Sequence, residues 1–236
     1  MKIIVLTTDT KHHTFFIREL AKVHPIHATV LETSAIEPGF PVKHEFENRR
    51  EEFEQTHLLE NENCSIDKFS KTISVDNINS SECLNYLSEI KPDVILVYGT
   101  RIIKNPLIRI CPEGIINLHG ANPEKYRGLD SHLWAVYHNI FDEFDVTLHR
   151  INSKVDDGEI LGTETIQIHK NLELHMLRSE NVKSCVSLAL HALNEFKISR
   201  SFSTSPQKRK GRYYSFMPAE LKEICLKKYD AFRNKI

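Results

Sequence analysis

The 236-residue chain has 31 basic and 32 acidic side chains and a formal net charge of −1, so it lacks the positive excess that a nucleic-acid surface carries. Its 40% hydrophobic content can bury one core with at most a small appendage, and no apolar run reaches the roughly 18 residues of a membrane span. The five cysteines, Cys64, Cys83, Cys111, Cys185 and Cys225, are odd in number, far apart and without a C-x-x-C pair, which argues against a disulfide framework or a thiolate zinc site and fits a reducing cytoplasm.

Residues 2–8 form a β-branched run that can be buried on both faces, as in a central parallel strand. The run is too short for a signal peptide. Phe16, Leu20 and Val23 follow at helical spacing, so a βα unit opens the chain, and IHATVLE reads as a second strand. Residues 37–63 are irregular and charged, an insertion whose HEFENRREEFEQTHLLE segment is expected to be an exposed helix. A strand at 72–75 and a helix at 81–90 lead to KPDVILVYG, a further central strand with Pro92 safely ahead of it. NPLIRIC is a short helix with Pro106 in its first turn, and IINL is the next strand. YRG is expected in a loop. Residues 131–139 read as a helix, DVTLHRI as a strand with one solvated face, KVDDGEIL as a loop, and GTETIQI as a strand. Residues 172–196 are expected to form one long amphipathic helix. The alternation predicts an α/β chain with a doubly wound, mostly parallel sheet. It is divided into a catalytic domain over 1–200 and a small extension over 201–236.

Ligands of such sheets bind beyond the carboxyl ends of the strands. Tyr98, Gly99 and Thr100 follow one such strand, and Asn117 and His119 close the next. His149 lies on a later strand, with Asp156 seven residues on. Adding an amine to a carbonyl needs a donor for the developing oxyanion, a proton relay and a carboxylate that holds the imidazole. Asn, His and Asp can supply these. By residue type alone, however, a lone buried His is more often a satisfied core group, and Asp157 with Gly158 reads as an ordinary turn.

Taken together, INLHGANPEKYRG, SHLWA and VTLHRINSKVDDGEIL resemble the formyltetrahydrofolate-dependent formyltransferase family. There a strand ends Asn-x-His, a Pro-containing loop closes with Gly, and a strand ending in His precedes an Asp-x-Gly loop. YGTRIIKNPL resembles the segment whose backbone holds the pterin ring. The likeness covers roughly residues 90–170, and residues 1–30 only as a fold. It implies a Rossmann-like formyltransferase core with N10-formyltetrahydrofolate as cosubstrate and no metal. It implies Asn117, His119 and Asp156 as catalytic groups. Thr100, Arg101, Ile102, Ile103 and Asp156 would meet the folate, and His149, Tyr126, Arg127 and His132 would bind the acceptor or order the site. Asp157 is the less suited carboxylate, because the family's aspartate precedes glycine by two positions.

Departures from the family's branches point to an acceptor. TTDTKHHTFF has no glycine to admit a phosphate at a helix N-terminus, unlike the glycinamide ribonucleotide branch. Too few residues follow the long helix for the barrel of the tRNA branch, and the regulatory domain of the hydrolase branch is not seen. The implied acceptor is a nucleotide-linked amino sugar, such as a GDP- or dTDP-linked 4-amino-4,6-dideoxyhexose used in surface polysaccharide and O-antigen. Glycinamide ribonucleotide, another small amine, or a non-catalytic nucleotide-sugar-binding relative stay open. A cytoplasmic protein without nucleic-acid or membrane partners is expected. Lys208, Arg209 and Lys210 with Tyr213, Tyr214, Phe216 and Met217 are expected to pack on their own core or in a homodimer rather than hold the acceptor.

Overall fold

The computed structural model describes residues 1–34 and 36–236. IIVLT and VILVY, with branched or aromatic side chains at both parities, become β1 (Ile3–Thr7) and β4 (Val94–Tyr98), buried at every position. Between them run α1 (Lys11–Ala21), β2 (Ile26–Glu32), α2 (Phe46–His57), β3 (Thr72–Val75) and α3 (Ser81–Ile90). After β4 come α4 (Asn105–Ile108), β5 (Ile115–His119), β6 (Tyr126–Gly128), α5 (Ser131–Tyr137), β7 (Phe144–Arg150), β8 (Ile160–Ile166), α6 (Leu177–Ser199), β9 (Arg212–Tyr214) and α7 (Ala219–Arg233).

The central sheet has the order β3-β2-β1-β4-β5-β7-β8. The pairs from β3 to β5 are parallel, and β7 and β8 are antiparallel. Sequential strands run outward from β1 in one direction and from β4 in the other, so the carboxyl ends of β1 and β4 flank the switch point. One apolar cluster joins α1, α5, α6 and α7 to one face of the sheet, and a second joins α3 and α4 to the other. Among the described residues no helix is long and apolar enough to cross a membrane.

Four local expectations need correction. YRG is not a loop but β6, paired in parallel with β9; Gly128 permits this with φ +89, and a Cβ there would lie 2.1 Å from the Tyr214 carbonyl oxygen. The polar face of β7 is not solvated: Asp145, Thr147 and His149 are buried, bonded to Thr165, Thr163 and Asn117. The long helix begins only at Leu177, after a 3-10 turn over Leu174–Met176 that buries Leu174 and His175 beside α2. And α2 is not simply exposed, since Phe46 and Glu54 on it are buried. The segment after α6 also lies on the same core, where Phe202, Met217, Cys225 and Tyr229 are buried.

Candidate active site

Antiparallel pairing of β5 with β7 sets Asn117 opposite His149, and the period of two puts Asn117 and His119 on one face of the sheet. The Asn117 Nδ2 lies 3.1 Å from His149 Nε2. The His149 Nδ1 is 2.7 Å from the Arg150 carbonyl oxygen. A carbonyl only accepts, so the His149 proton sits on Nδ1, and Nε2 accepts one N–H of the Asn117 amide. The same reasoning fixes His119: its Nε2 donates to the Tyr126 carbonyl at 2.8 Å. This leaves Nδ1 as the unprotonated atom, 3.6 Å from Asp156 Oδ2.

Asp156 joins the two imidazoles. Its Oδ1 lies 3.5 Å from His149 Nε2, and Oδ2 accepts the Gly128 N–H at 2.8 Å. Burial alone would raise this carboxyl, but the positive charge that His119 and His149 carry when protonated, a His149 hydrogen bond and the Gly128 N–H outweigh it and hold it well below the usual carboxylate range. Burial likewise pushes His119 below its ordinary value, against the pull of Asp156. The site therefore combines an ionised carboxylate with a neutral imidazole. Asp156 adopts the left-handed region at φ +47. Two positions further on the chain presses against β7, where a Cβ on Gly158 would lie 1.7 Å from the Arg150 carbonyl oxygen.

These groups open into a cleft of about 810 Å³ that also receives Thr100, Arg101, Ile102, Ile103 and His132. Four of the nine exposed large apolar side chains among the described residues, Ile36, Phe40, Ile102 and Tyr213, line it. Such concentration in one concavity marks a ligand site. The loop after β4 is braced from outside. Glu32 accepts the Ile78 and Arg101 N–H groups at 2.9 Å each and pairs with Arg101 Nε at 2.6 Å. Asn79 donates to the Ile102 carbonyl and accepts the Lys104 N–H. The Arg101 guanidinium is further bound to Ser34. Gly99, Thr100, Ile102 and Ile103 are therefore the members of the loop whose N–H groups have no acceptor among the described residues.

Tyr126 and Arg127 are not brought to the cleft, so direct acceptor binding by them does not fit. Tyr126 bonds His138 through its hydroxyl at 3.1 Å, with their rings stacked, and borders a second, shallower hollow shared with Arg209 and Lys210. Arg127 is 2% exposed and bonds the Asp157 carboxylate at 2.6 Å. Each touches the site indirectly: the Tyr126 carbonyl accepts from His119, and the Arg127 guanidinium reaches the Asp156 loop at the Val155 carbonyl and the Asp157 carboxylate. Sequence reasoning missed Glu32, Asn79 and the Gly128 N–H. Of these only Glu32 left a signal, an acid ending an otherwise apolar strand. It also left residues 37–63 unassigned, yet Glu37, Pro38, Gly39 and Phe40 line the cleft. Among the described residues no three His, Cys, Asp or Glu side chains converge as metal ligands would.

An amide, an imidazole and a carboxylate at the carboxyl edge of a doubly wound sheet suit transfer of a carbonyl-containing group. Residues 1–184 match the formyl transferase family, and the chain belongs to that family. Over 95 residues, 40% of this chain, it is 38% identical to the bifunctional polymyxin resistance protein ArnA of Wigglesworthia glossinidia brevipalpis, and the match spans 14% of that protein. Among solved structures, WlaRD, a sugar 3N-formyl transferase crystallised with dTDP and 5-N-formyl-THF, aligns with a TM-score of 0.60 at 16% identity, over 91% of this chain and 69% of its own. PseJ from Anoxybacillus kamchatkensis, in complex with UDP-4,6-dideoxy-4-formamido-L-AltNAc and tetrahydrofolate, aligns at 0.55 with 20% identity, over 91% and 86%. HypX from Aquifex aeolicus with tetrahydrofolic acid aligns at 0.61 with 17% identity, over 98% and 34%. At these identities the structures share the fold.

Proposed function

We propose that the protein transfers the formyl group of N10-formyltetrahydrofolate to the amine of a nucleotide-linked amino sugar, of the kind built into surface polysaccharide. The observation that carries this reading is the convergence of Asn117, His119 and Asp156 at one end of an apolar cleft whose other end is a braced backbone edge. The folate supplies an activated formyl carbon. Thr100, Ile102 and Ile103 offer N–H groups of fixed direction to a flat heterocycle, and exposed Ile102 offers it an apolar contact.

Chemistry follows from the proton positions. One Asn117 N–H is engaged by His149, and the other is aimed at the oxygen of the group under attack, where charge develops. His119 Nδ1, held neutral by burial, takes the proton that the amine loses as it adds. Asp156 then stabilises the imidazolium. His119 returns that proton to the folate N10 as the adduct collapses, the bond from the formyl carbon to N10 breaks and tetrahydrofolate leaves. The acceptor class rests on family membership, on the loop without glycine after β1, and on the sugar N-formyltransferases among the structures of this fold.

The test is incubation with N10-formyltetrahydrofolate and a panel of GDP-, UDP- and dTDP-linked amino sugars, with glycinamide ribonucleotide in parallel. Tetrahydrofolate release and a gain of one formyl group in a sugar nucleotide are expected. Formylation of the ribonucleotide alone, or folate binding without turnover on any sugar, would overturn the reading.

A further inference from the structure

We propose that Gln207, in the segment beyond the residues matched to the family, is a positioning residue that holds the Asp156 loop in its working conformation. The proposal rests on the reading above for what Asp156 does, and on independent geometry for how Asp156 is held. A non-glycine residue in the left-handed region persists only where its surroundings fix it. Gln207 holds the loop at Asp156 and two residues beyond it: its Nε2 donates to the Asp156 carbonyl at 3.0 Å and to the Gly158 carbonyl at 2.8 Å. Its Oε1 accepts Arg127 Nη2 at 2.9 Å. Arg127 then reaches the same loop, donating to the Val155 carbonyl at 3.3 Å and to the Asp157 carboxylate.

The carboxamide thus spends its hydrogen-bonding capacity on one target. Its neighbours Pro206 and Lys208 are exposed, whereas Gln207 is half-buried. The segment is itself anchored on either side. Ser205 exchanges two backbone bonds with Ile160, and Gly211 and Arg212 donate to the Pro123 and Lys125 carbonyls. Gln207 is therefore delivered to the loop from a braced irregular segment, and an error in its placement passes to the loop that carries the carboxylate facing His119.

The test uses Gln207→Ala and Gln207→Glu, with Lys208→Ala as the neighbouring control. Glutamate keeps an oxygen for Arg127 but cannot donate to the two carbonyls, so it separates the two halves of the clamp. Both Gln207 variants are expected to lower kcat on the order of 10- to 100-fold, the cost of a misplacement near 1 Å. KM for the folate should stay at its wild-type value, and the thermal midpoint should fall no further than in Asp157→Asn, a variant that keeps most of its kcat. Without any acceptor, peptide-level hydrogen exchange over residues 153–158 should quicken, and the His119 imidazole, followed by NMR, should titrate lower as Asp156 leaves it. Unchanged exchange and titration would overturn the proposal, as would unchanged kcat or a kcat loss matched by lost stability. A wild-type protein that formylates no sugar would sink the functional reading instead, and the exchange and NMR arms would still decide the role of Gln207.

Discussion

Asn117 and His119 leave the same face of β5, yet their supports differ: the amide rests on a side chain of β7, and the imidazole on the backbone of β6. Replacing either with Ala removes one group at the reacting carbonyl without disturbing the sheet ladder. Each variant should lose about 10²–10³ in turnover while keeping its fold, as steady-state rates and circular dichroism would reveal; near-normal turnover would remove that residue from the chemistry. The two neighbouring aspartates should fail in different ways. Asp156→Asn removes the charge beside His119 and should cut kcat more than folate affinity. Asp157, the carboxylate less suited to catalysis, faces the guanidinium of buried Arg127, and Asp157→Asn weakens that pair. It should cost about 1–2 kcal/mol of stability, read by urea denaturation, with a smaller effect on kcat. The Asn-x-His spacing and the later Asp were legible because a strand's period and a short loop are local properties. Glu32 and Gln207 were not, because their partners lie between 46 and 80 residues away in sequence, with no local pattern to announce them.

The α2 helix shows the same limit for an element. Its sequence carries few apolar residues, and by composition it belongs in water. Glu47, Glu51 and Glu54, however, recur at i, i+4 and i+7 and share one face. That face meets cations from other helices: Lys222 of α7 at 3.0 Å from Glu47, and Arg178 of α6 at 2.8 Å from Glu51 and 2.5 Å from Glu54. Charge takes the place of an apolar stripe, and a hydrophobicity pattern cannot show it. β7 misled for a related reason, since its alternation was real but its polar face was satisfied by neighbouring strands rather than by water. Glu54 is fully buried, so Glu54→Ala should destabilise by about 3 kcal/mol, because it leaves Arg178 only partly compensated. Glu54→Leu combined with Arg178→Met should recover most of that loss. Urea denaturation of the single and double variants decides it: a double variant no better than the single would mean that the pair does not act as a unit.

At the scale of the molecule, three buried imidazoles and one partly buried one belong to elements around the switch point. His12 and His13 open α1, His119 ends β5, and His132 lies in α5. Burial lowers all four, His13 and His132 from 6.5 to about 3. A histidine whose folded value lies below its unfolded one binds more protons when unfolded in the interval between them. Its stabilising contribution is full above about pH 6.5 and is lost progressively as pH falls towards 3. Asp156 acts in the same direction but only at lower pH, because its contribution begins to be lost near the unfolded carboxyl value of 3.8 and goes on falling towards its depressed folded value. Between pH 7 and pH 5 the loss should therefore come from the histidines, on the order of 2 kcal/mol for a group as buried as His13. Partly exposed His132 should contribute less. Urea denaturation at pH 7, 6 and 5 should show unfolding free energy dropping across this interval. His13→Asn should flatten the slope whatever it does to stability at pH 7, because the variant no longer has that proton to bind. A wild-type unfolding free energy that stays level from pH 7 to 5 would mean that these imidazoles are not held neutral by burial, and would remove the basis for treating His119 as a base ready to accept a proton.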